Sequence, residues 1–171
     1  METTQQAAPA IPTPTCTTGG NGLRDRGQDV ARLERDPRFV DRTSRRLAHG
    51  PEAVAHARRI ARSMLSTWQI GDDAAHSVLL VVSELVTNAV EHARPPLTLH
   101  LSRENTARRV WVGITDGGPA TREGAWASSC AHDEHGRGLA IVEALATTHG
   151  ARRHTGGTTY WARLPLAHGA R

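Results

Sequence analysis

The chain has 171 residues, of which 38% are hydrophobic, 22% charged and only 4% aromatic. This length suits one domain with a tail, and the composition predicts an aliphatic core and excludes a wholly disordered chain. The formal charge is +4, and the basic residues other than histidine are all arginine. The lack of lysine excludes a P-loop, a eukaryotic-type protein kinase and Schiff-base chemistry on a lysine.

Nothing in the sequence predicts a membrane or secreted location. No apolar run approaches the roughly 20 residues that cross a bilayer, and the N-terminus lacks the basic and apolar regions of a signal peptide. Cys16 and Cys130 are too few for a disulfide framework. We therefore expect a cytoplasmic protein.

The N-terminal part differs in composition from the rest. Residues 1–22 are rich in Thr, Gln, Ala, Pro and Gly, which predicts a disordered tail. Leu23 to Arg42 interleaves arginines with acidic residues, which favours a solvated linker over a short helix that docks a partner or nucleic acid. We expect residues 1–42 to be tail and linker, 43–166 to fold, and 167–171 to be a C-terminal tail.

The folded part shows helical and strand patterns in a mixed order. In chain order, the patterns predict a strand at Ser44 to Ala48, helices at Glu52 to Trp68 and Asp72 to Ala93, strands at Leu97 to Ser102 and Val110 to Ile114, a helix at Leu139 to Thr148, and a hairpin of Ala151 to His154 with Thr158 to Leu164. The segment between Asp116 and Gly138 is too long for a routine connection, which is typical of functional or mobile loops.

The second helix carries polar residues within an apolar segment. Glu84, Asn88 and His92 follow at i, i+4 and i+8, with Glu91 beside them. Buried carboxylates and amides are costly unless they are hydrogen-bonded or bind a ligand, so this arc indicates a ligand or metal site. The alternative is a solvent-facing polar pair on an amphipathic helix.

Two glycine-rich segments follow. Asp116 ends a predicted strand and precedes Gly117 and Gly118. The carboxylate could accept a hydrogen bond from a ligand with a flat ring, which the glycines would let approach the backbone closely. The alternative is a plain turn. Gly136-Arg137-Gly138 opens the third helix, where exposed N–H groups favour an anion, although a simple entry turn has the same pattern.

Taken together, these motifs resemble the GHKL superfamily of ATP-binding domains, which gyrase, Hsp90, histidine kinases and mismatch-repair ATPases share. The similarity covers the N box, the G1 box, the G2 box and the closing hairpin, which correspond to SELVTNAVEHA (Ser83 to Ala93), ITDGGP (Ile114 to Pro119), GRGLAIVEALA (Gly136 to Ala146) and GGTTYWARLP (Gly156 to Pro165). Over residues 43–166 the chain resembles the histidine-kinase-like ATPase domains of bacterial anti-sigma-factor serine/threonine kinases.

The resemblance implies an α/β (α+β) two-layer sandwich of the Bergerat type, with a mixed, mainly antiparallel sheet, three helices on one face and a mobile ATP lid at residues 119–135. It implies ATP and Mg²⁺ as ligands. It implies that Glu84 is the general base and that Asn88 is a magnesium ligand. Asp116 would recognise the adenine with help from Thr159, and Gly118 would line the adenine ring. The phosphate end of the site would be closed by Gly136, Arg137 and Gly138.

The same resemblance implies a serine/threonine protein kinase that acts as an anti-sigma factor, phosphorylates an anti-anti-sigma partner and forms a homodimer. Because Glu84 suits activation of either a hydroxyl or water, the sequence also allows a slow ATPase. The main alternative is a switch protein in which nucleotide selects the partner-binding conformation without phosphoryl transfer. Two departures from the family pattern are Ala120, where a second glycine is common, and an unusual lid that contains Trp126.

Two other kinds of site have weak support. Three possible metal ligands are close in sequence, but their spacing matches no usual structural zinc pattern; they are Cys130, His132 and His135. A nucleic-acid site in the Arg24 to Arg46 region lacks a recognisable DNA-binding motif, and the chain has few aromatic residues. We expect neither zinc nor nucleic acid to be a ligand.

Overall fold

The computed structural model describes residues 39–104, 108–120 and 136–166. These residues form five strands and three helices, in the order β1 (Phe39–Leu47), α1 (Ala53–Thr67), α2 (Asp72–His92), β2 (Leu97–Glu104), β3 (Arg109–Asp116), α3 (Gly136–Leu145), β4 (Thr148–His154) and β5 (Gly157–Pro165). The order of elements agrees with the one that the patterns predict.

The strands form one sheet in the order β1-β2-β3-β5-β4, and every described pair is antiparallel. Alternate residues of the central strands point to the helices and are fully buried, because side chains alternate between the two faces of a strand. They are Leu97, Leu99, Leu101, Val110, Val112, Ile114, Ala162 and Leu164. The two-layer fold class predicted from the sequence is confirmed.

The helices contribute the other side of this core. α1 buries a stripe of small residues and one leucine at helical spacing, and α2 buries most of its apolar residues. α2 is long and apolar enough to span a bilayer by length and composition alone. Its apolar side chains nevertheless pack in the core with the sheet, which accounts for its composition.

The face of the sheet away from the helices carries a hydrogen-bonded row that crosses all five strands. His100 joins Ser44 through Nδ1 and Thr115 through Nε2, each at 2.9 Å. The hydroxyl of Thr115 lies 2.8 Å from that of Thr159, which is 3.2 Å from Nε2 of His154. This row ties the strands together beside the end of β3.

The observed bounds differ from the predicted ones at both ends of the sheet. β1 begins at Phe39, within the predicted linker, because the Phe39 ring packs edge-on against Trp111 with centroids 6.4 Å apart. α3 ends at Leu145 and β4 already begins at Thr148, since the N–H of Thr147 donates to the carbonyl of Arg163 at 2.8 Å. The tails 1–38 and 167–171 lie outside the described residues.

Candidate functional site

Asp116 is a buried carboxylate at the end of the central strand β3, with 2% of its surface exposed. Its Oδ1 accepts hydrogen bonds from the N–H of Gly118 at 2.7 Å and the N–H of Thr158 at 3.3 Å. No group among the described residues donates to Oδ2. A buried carboxylate is costly unless its acceptors are used, so Oδ2 suits a ligand that donates a hydrogen bond.

The electrostatic environment of Asp116 follows from this position. Burial raises the pKa of Asp116 above its ordinary value, and the N–H groups of Gly118 and Thr158 and the nearby His154 partly oppose the rise. Tyr160 lies on the same side of the sheet, and burial followed by the charge of Asp116 raises the pKa of its phenol. The phenol of Tyr160 is therefore a neutral donor at neutral pH.

Glycines allow the backbone to close tightly around Asp116. Gly157 has φ +146°, and a Cβ on it would lie 1.7 Å from the carbonyl oxygen of Asp116. Gly118 has φ +87°, in the left-handed region that favours glycine. The turn between β4 and β5 thus contacts the end of β3 in a way that no other residue type permits at position 157.

The segment after Asp116 is held against the C-terminal end of α2. The N–H of Arg94 donates to the carbonyl of Gly118 at 2.8 Å, and the N–H of Gly117 donates to the carbonyl of Arg94 at 2.7 Å. The N–H of Ala120 then donates to the carbonyl of His92 at 3.1 Å. These bonds fix the polar arc of α2 relative to Asp116, and Ala120 keeps its backbone contact without a glycine.

Glu84 and Asn88 face the start of α3. Both side chains are half-buried, one turn apart on α2. A Cβ on Gly138 would lie 2.6 Å from Oε2 of Glu84 and 3.8 Å from Nδ2 of Asn88. Because glycine has no Cβ, the carboxylate of Glu84 and the amide of Asn88 can lie against the start of α3, and oxygen ligands of this kind suit Mg²⁺.

The resemblance implies that Thr159 assists Asp116 at the adenine, which stays a prediction, but its hydroxyl does not lie on the face of Asp116. Thr159 pairs with Thr115, and its hydroxyl belongs to the row on the face away from the helices. Thr158 is the partner of Asp116, and cross-strand partners lie on the same face. Counting back in steps of two from the buried Leu164 and Ala162 would have identified Thr158 from sequence.

Asp116 and Gly118 thus lie where the end of β3 contacts the C-terminal end of α2, and Glu84 and Asn88 lie further along α2, facing Gly138 of α3. α3 begins at Gly136, but the surroundings of Gly136 and the side chain of Arg137 are outside the described residues. So are most of the predicted lid, Trp126, and the Cys130, His132 and His135 cluster. Among the residues that the structure does describe, no group of three or more potential metal ligands occurs.

The model of one protein family, the histidine kinase-like ATPase domain, matches residues 47–164. A search of curated proteins finds no match. Among solved structures, the RsbU and RsbW domains of Rv1364c from Mycobacterium tuberculosis are similar, with 22% identity and a TM-score of 0.60 over 77% of this chain and 34% of that chain.

A second similar structure is the histidine kinase domain of the blue-light activated histidine kinase EL346 from Erythrobacter litoralis, with 23% identity and a TM-score of 0.45 over 66% of this chain and 60% of that chain. The chain spans about a third of the length of the Rv1364c chain, and at this identity the likeness concerns the fold. The family match covers more than half of the chain and includes every residue of the site that the structure describes. The chain therefore belongs to the family of histidine kinase-like ATPase domains.

Proposed function

We propose that the chain binds ATP with Mg²⁺ in the space between α2, the end of β3 and the start of α3, and transfers the γ-phosphoryl group to a serine or threonine of a protein partner. The proposal rests on two groups of residues, one at the end of β3 and one where α2 faces the start of α3. Asp116 has an Oδ2 to which no described residue donates, and Glu84 and Asn88 face the side-chain-free backbone of Gly138 at the start of α3.

At the Asp116 end the chemistry is recognition. The carboxylate accepts a hydrogen bond from an exocyclic amine, and Gly118 allows a flat ring to approach the backbone. Thr158, which shares a face with Asp116, takes the assisting role that the resemblance gave to Thr159. Arg94 adds a positive charge at this end, since its Nη2 would lie 3.8 Å from a Cβ on Gly118.

At the other end the chemistry is group transfer. The carbonyl oxygen of Asn88 suits a magnesium ligand, and the donor set fits because amide and carboxylate oxygens are ligands that Mg²⁺ prefers. Magnesium, when bound, neutralises charge on the phosphates. Glu84 accepts the proton of the attacking hydroxyl while the bond to the ADP leaving group breaks. Gly136, Arg137 and Gly138 close the phosphate end through backbone N–H groups and the charge of Arg137.

The proposed partners follow from the resemblance to anti-sigma-factor kinases. They are a sigma factor, which the protein sequesters, and an anti-anti-sigma protein, which it phosphorylates. A cytoplasmic location and a homodimer belong to the same proposal. The likeness to a structure described as containing an RsbW domain is consistent with it.

The test is Glu84→Gln, which keeps the shape of the side chain but removes its charge and its ability to act as a base. We expect ATP affinity to stay within about twofold and phosphoryl transfer from γ-labelled ATP to fall by roughly 10² to 10⁴. Isothermal titration measures the first and label transfer to the partner the second. Intact binding with no transfer by either the wild type or the variant would instead favour the nucleotide-dependent switch protein.

A further inference from the structure

A groove of about 370 Å³ lies between α1 and the strand β1, at the edge of the sheet. We call it the α1–β1 groove. Its lining residues from α1 recur at i, i+3, i+4, i+7 and i+8, so they form one continuous face of the helix. The lining consists of Thr43, Arg45, His56, Arg59, Ile60, Ser63 and Met64.

The ionisable side chains that line this groove are all basic. α1 contains three arginines, one histidine and no acidic residue, and β1 contains three arginines and one aspartate. That aspartate, Asp41, pairs with Arg103 at 2.7 Å and is not part of the lining. Within the described residues, no carboxylate pairs with Arg45 or Arg59, so both cations are available to a ligand.

The groove also has an apolar floor and a backbone edge. Ile60 and Met64 are partly buried against the core, and the hydroxyl of Thr43 lies 3.5 Å from the sulfur of Met64. β1 is at an edge of the described sheet, so its outer backbone groups have no strand partner there. An exposed edge of this kind can accept an extended segment as an added strand.

We propose that the α1–β1 groove docks an extended acidic segment of a partner protein, in which the residues on one face, at every second position, are alternately acidic and aliphatic. The carboxylates pair with Arg45 and Arg59, the aliphatic side chains contact Ile60 and Met64, and the backbone adds to β1. Arg46 and Arg62 belong to the same two elements but are absent from the lining, so only two of these four arginines face the groove. Nucleic acid would be attracted by all four arginines alike, since phosphate attraction depends little on direction.

The experiment measures binding of a fluorescein-labelled peptide of repeating Glu-Thr-Val-Thr, which places glutamate and valine on one face of a strand, to the full chain by fluorescence anisotropy. The double variant Arg45→Glu/Arg59→Glu is compared with Arg46→Glu/Arg62→Glu, which changes the net charge equally from the same strand and helix. We expect the first pair to lower affinity by about tenfold or more and the second by less than about threefold. A peptide of repeating Gln-Thr-Val-Thr should bind at least about tenfold more weakly than the acidic peptide.

Several outcomes would overturn the proposal. The first is that the wild type does not bind the acidic peptide. The second is that the two double variants lose affinity for the peptide equally. The third is that the wild type binds a duplex DNA of matched length more tightly than the peptide and that both double variants weaken this DNA binding equally. Circular dichroism and ATP titration show whether each variant is folded, and Arg45→Gln/Arg59→Gln serves as a milder substitute. Because the groove lies at the β1 edge and Asp116 on the central strand β3, unchanged ATP binding in these variants separates this proposal from the proposed kinase.

Discussion

The two ends of the proposed nucleotide site are both lined by glycine, but for different physical reasons. At the Asp116 end, a Cβ on Gly157 would lie 1.7 Å from a backbone carbonyl oxygen, which cannot move without disturbing β3. At the α2 end, a Cβ on Gly138 would lie 2.6 Å from the tip of a flexible side chain, Glu84. The first end is fixed by backbone contacts, whereas the second depends on two half-buried side chains that can move.

This contrast suits the two tasks. Recognition of a flat base benefits from a rigid pocket whose hydrogen bonds are already oriented. Group transfer has to accommodate phosphates, a metal ion and an incoming hydroxyl, which suits an end whose side chains can move. Substitutions at the first end should therefore disturb the fold, and substitutions at the second should disturb only the chemistry.

The largest expected effect is that of Gly157→Ala. Because the new Cβ meets a backbone atom and φ is +146°, we expect the free energy of unfolding to fall by roughly 2 to 4 kcal/mol and ATP binding to be lost. Urea denaturation and calorimetry measure both. The matched control is Gly156→Ala in the same turn, where the nearest atom lies 3.8 Å away. Equal stability of the two variants would contradict the rigid end.

Gly138→Ala tests the end of the proposed site where α2 faces α3. The new methyl group displaces the carboxylate of Glu84, so we expect phosphoryl transfer to fall by about tenfold or more, while the free energy of unfolding changes by less than about 1 kcal/mol. The control is Gly71→Ala, since a Cβ there meets no atom within 4 Å. A loss of stability comparable with that of Gly157→Ala would remove the distinction between the two ends.

A smaller effect distinguishes two neighbouring threonines of β5. Thr158→Val should weaken ATP binding by about fivefold, because a hydroxyl beside Asp116 is lost. Thr159→Val should change ATP affinity by less than about twofold, since its hydroxyl faces Thr115 and His154 on the other side of the sheet. Titration calorimetry on the two variants decides, and the reverse ranking would restore the role implied for Thr159.

The smallest effect concerns His100 in the row across the sheet. Burial and the nearby His154 lower the pKa of His100 from 6.5 to about 4. The unfolded chain binds more protons than the folded chain between these values, so this group makes the free energy of unfolding fall as the pH is lowered from 6.5 to about 4. His100→Gln should make that decline less steep in urea denaturation at several pH values. Identical slopes for wild type and variant would show that His100 is not buried in its neutral form.

How much the sequence can predict depends on the range of the interactions involved. The predicted bounds of α1 and α2 agree with the structure within one or two residues, because local periodicity and Pro51, Gly71 and Pro95 mark their limits. The start of β1 is not predicted, because it depends on contact between Phe39 and the distant Trp111.

The start of β4 escapes prediction for a similar reason. Gly150 has the sequence pattern of a turn, yet it lies within β4 and pairs with Trp161 of β5. A Cβ on Gly150 would lie 3.2 Å from Cζ2 of the Trp161 indole. The glycine therefore makes room for a ring from the neighbouring strand, which local patterning does not reveal.

The candidate site shows the same division. Glu84, Asn88 and Asp116 stand out in the sequence because polar residues in apolar segments need a reason, and the structure places the first two beside Gly138 and the third at the end of β3. The choice between Thr158 and Thr159 requires strand parity, which the motif alone does not give. Sequence reasoning also misses Arg94, whose proximity to Gly118 results from backbone bonds between the end of α2 and the segment after β3.

The central claim is that Asp116 and Asn88 belong to one nucleotide site. Its most direct test is calorimetric titration of ATP with magnesium into the wild type, Asp116→Asn and Asn88→Ala. We expect binding to the wild type, a loss of about tenfold to a hundredfold for Asp116→Asn whether or not magnesium is present, and a loss for Asn88→Ala that depends on magnesium. Wild-type affinity in both variants, or no binding by the folded wild type, would contradict the account.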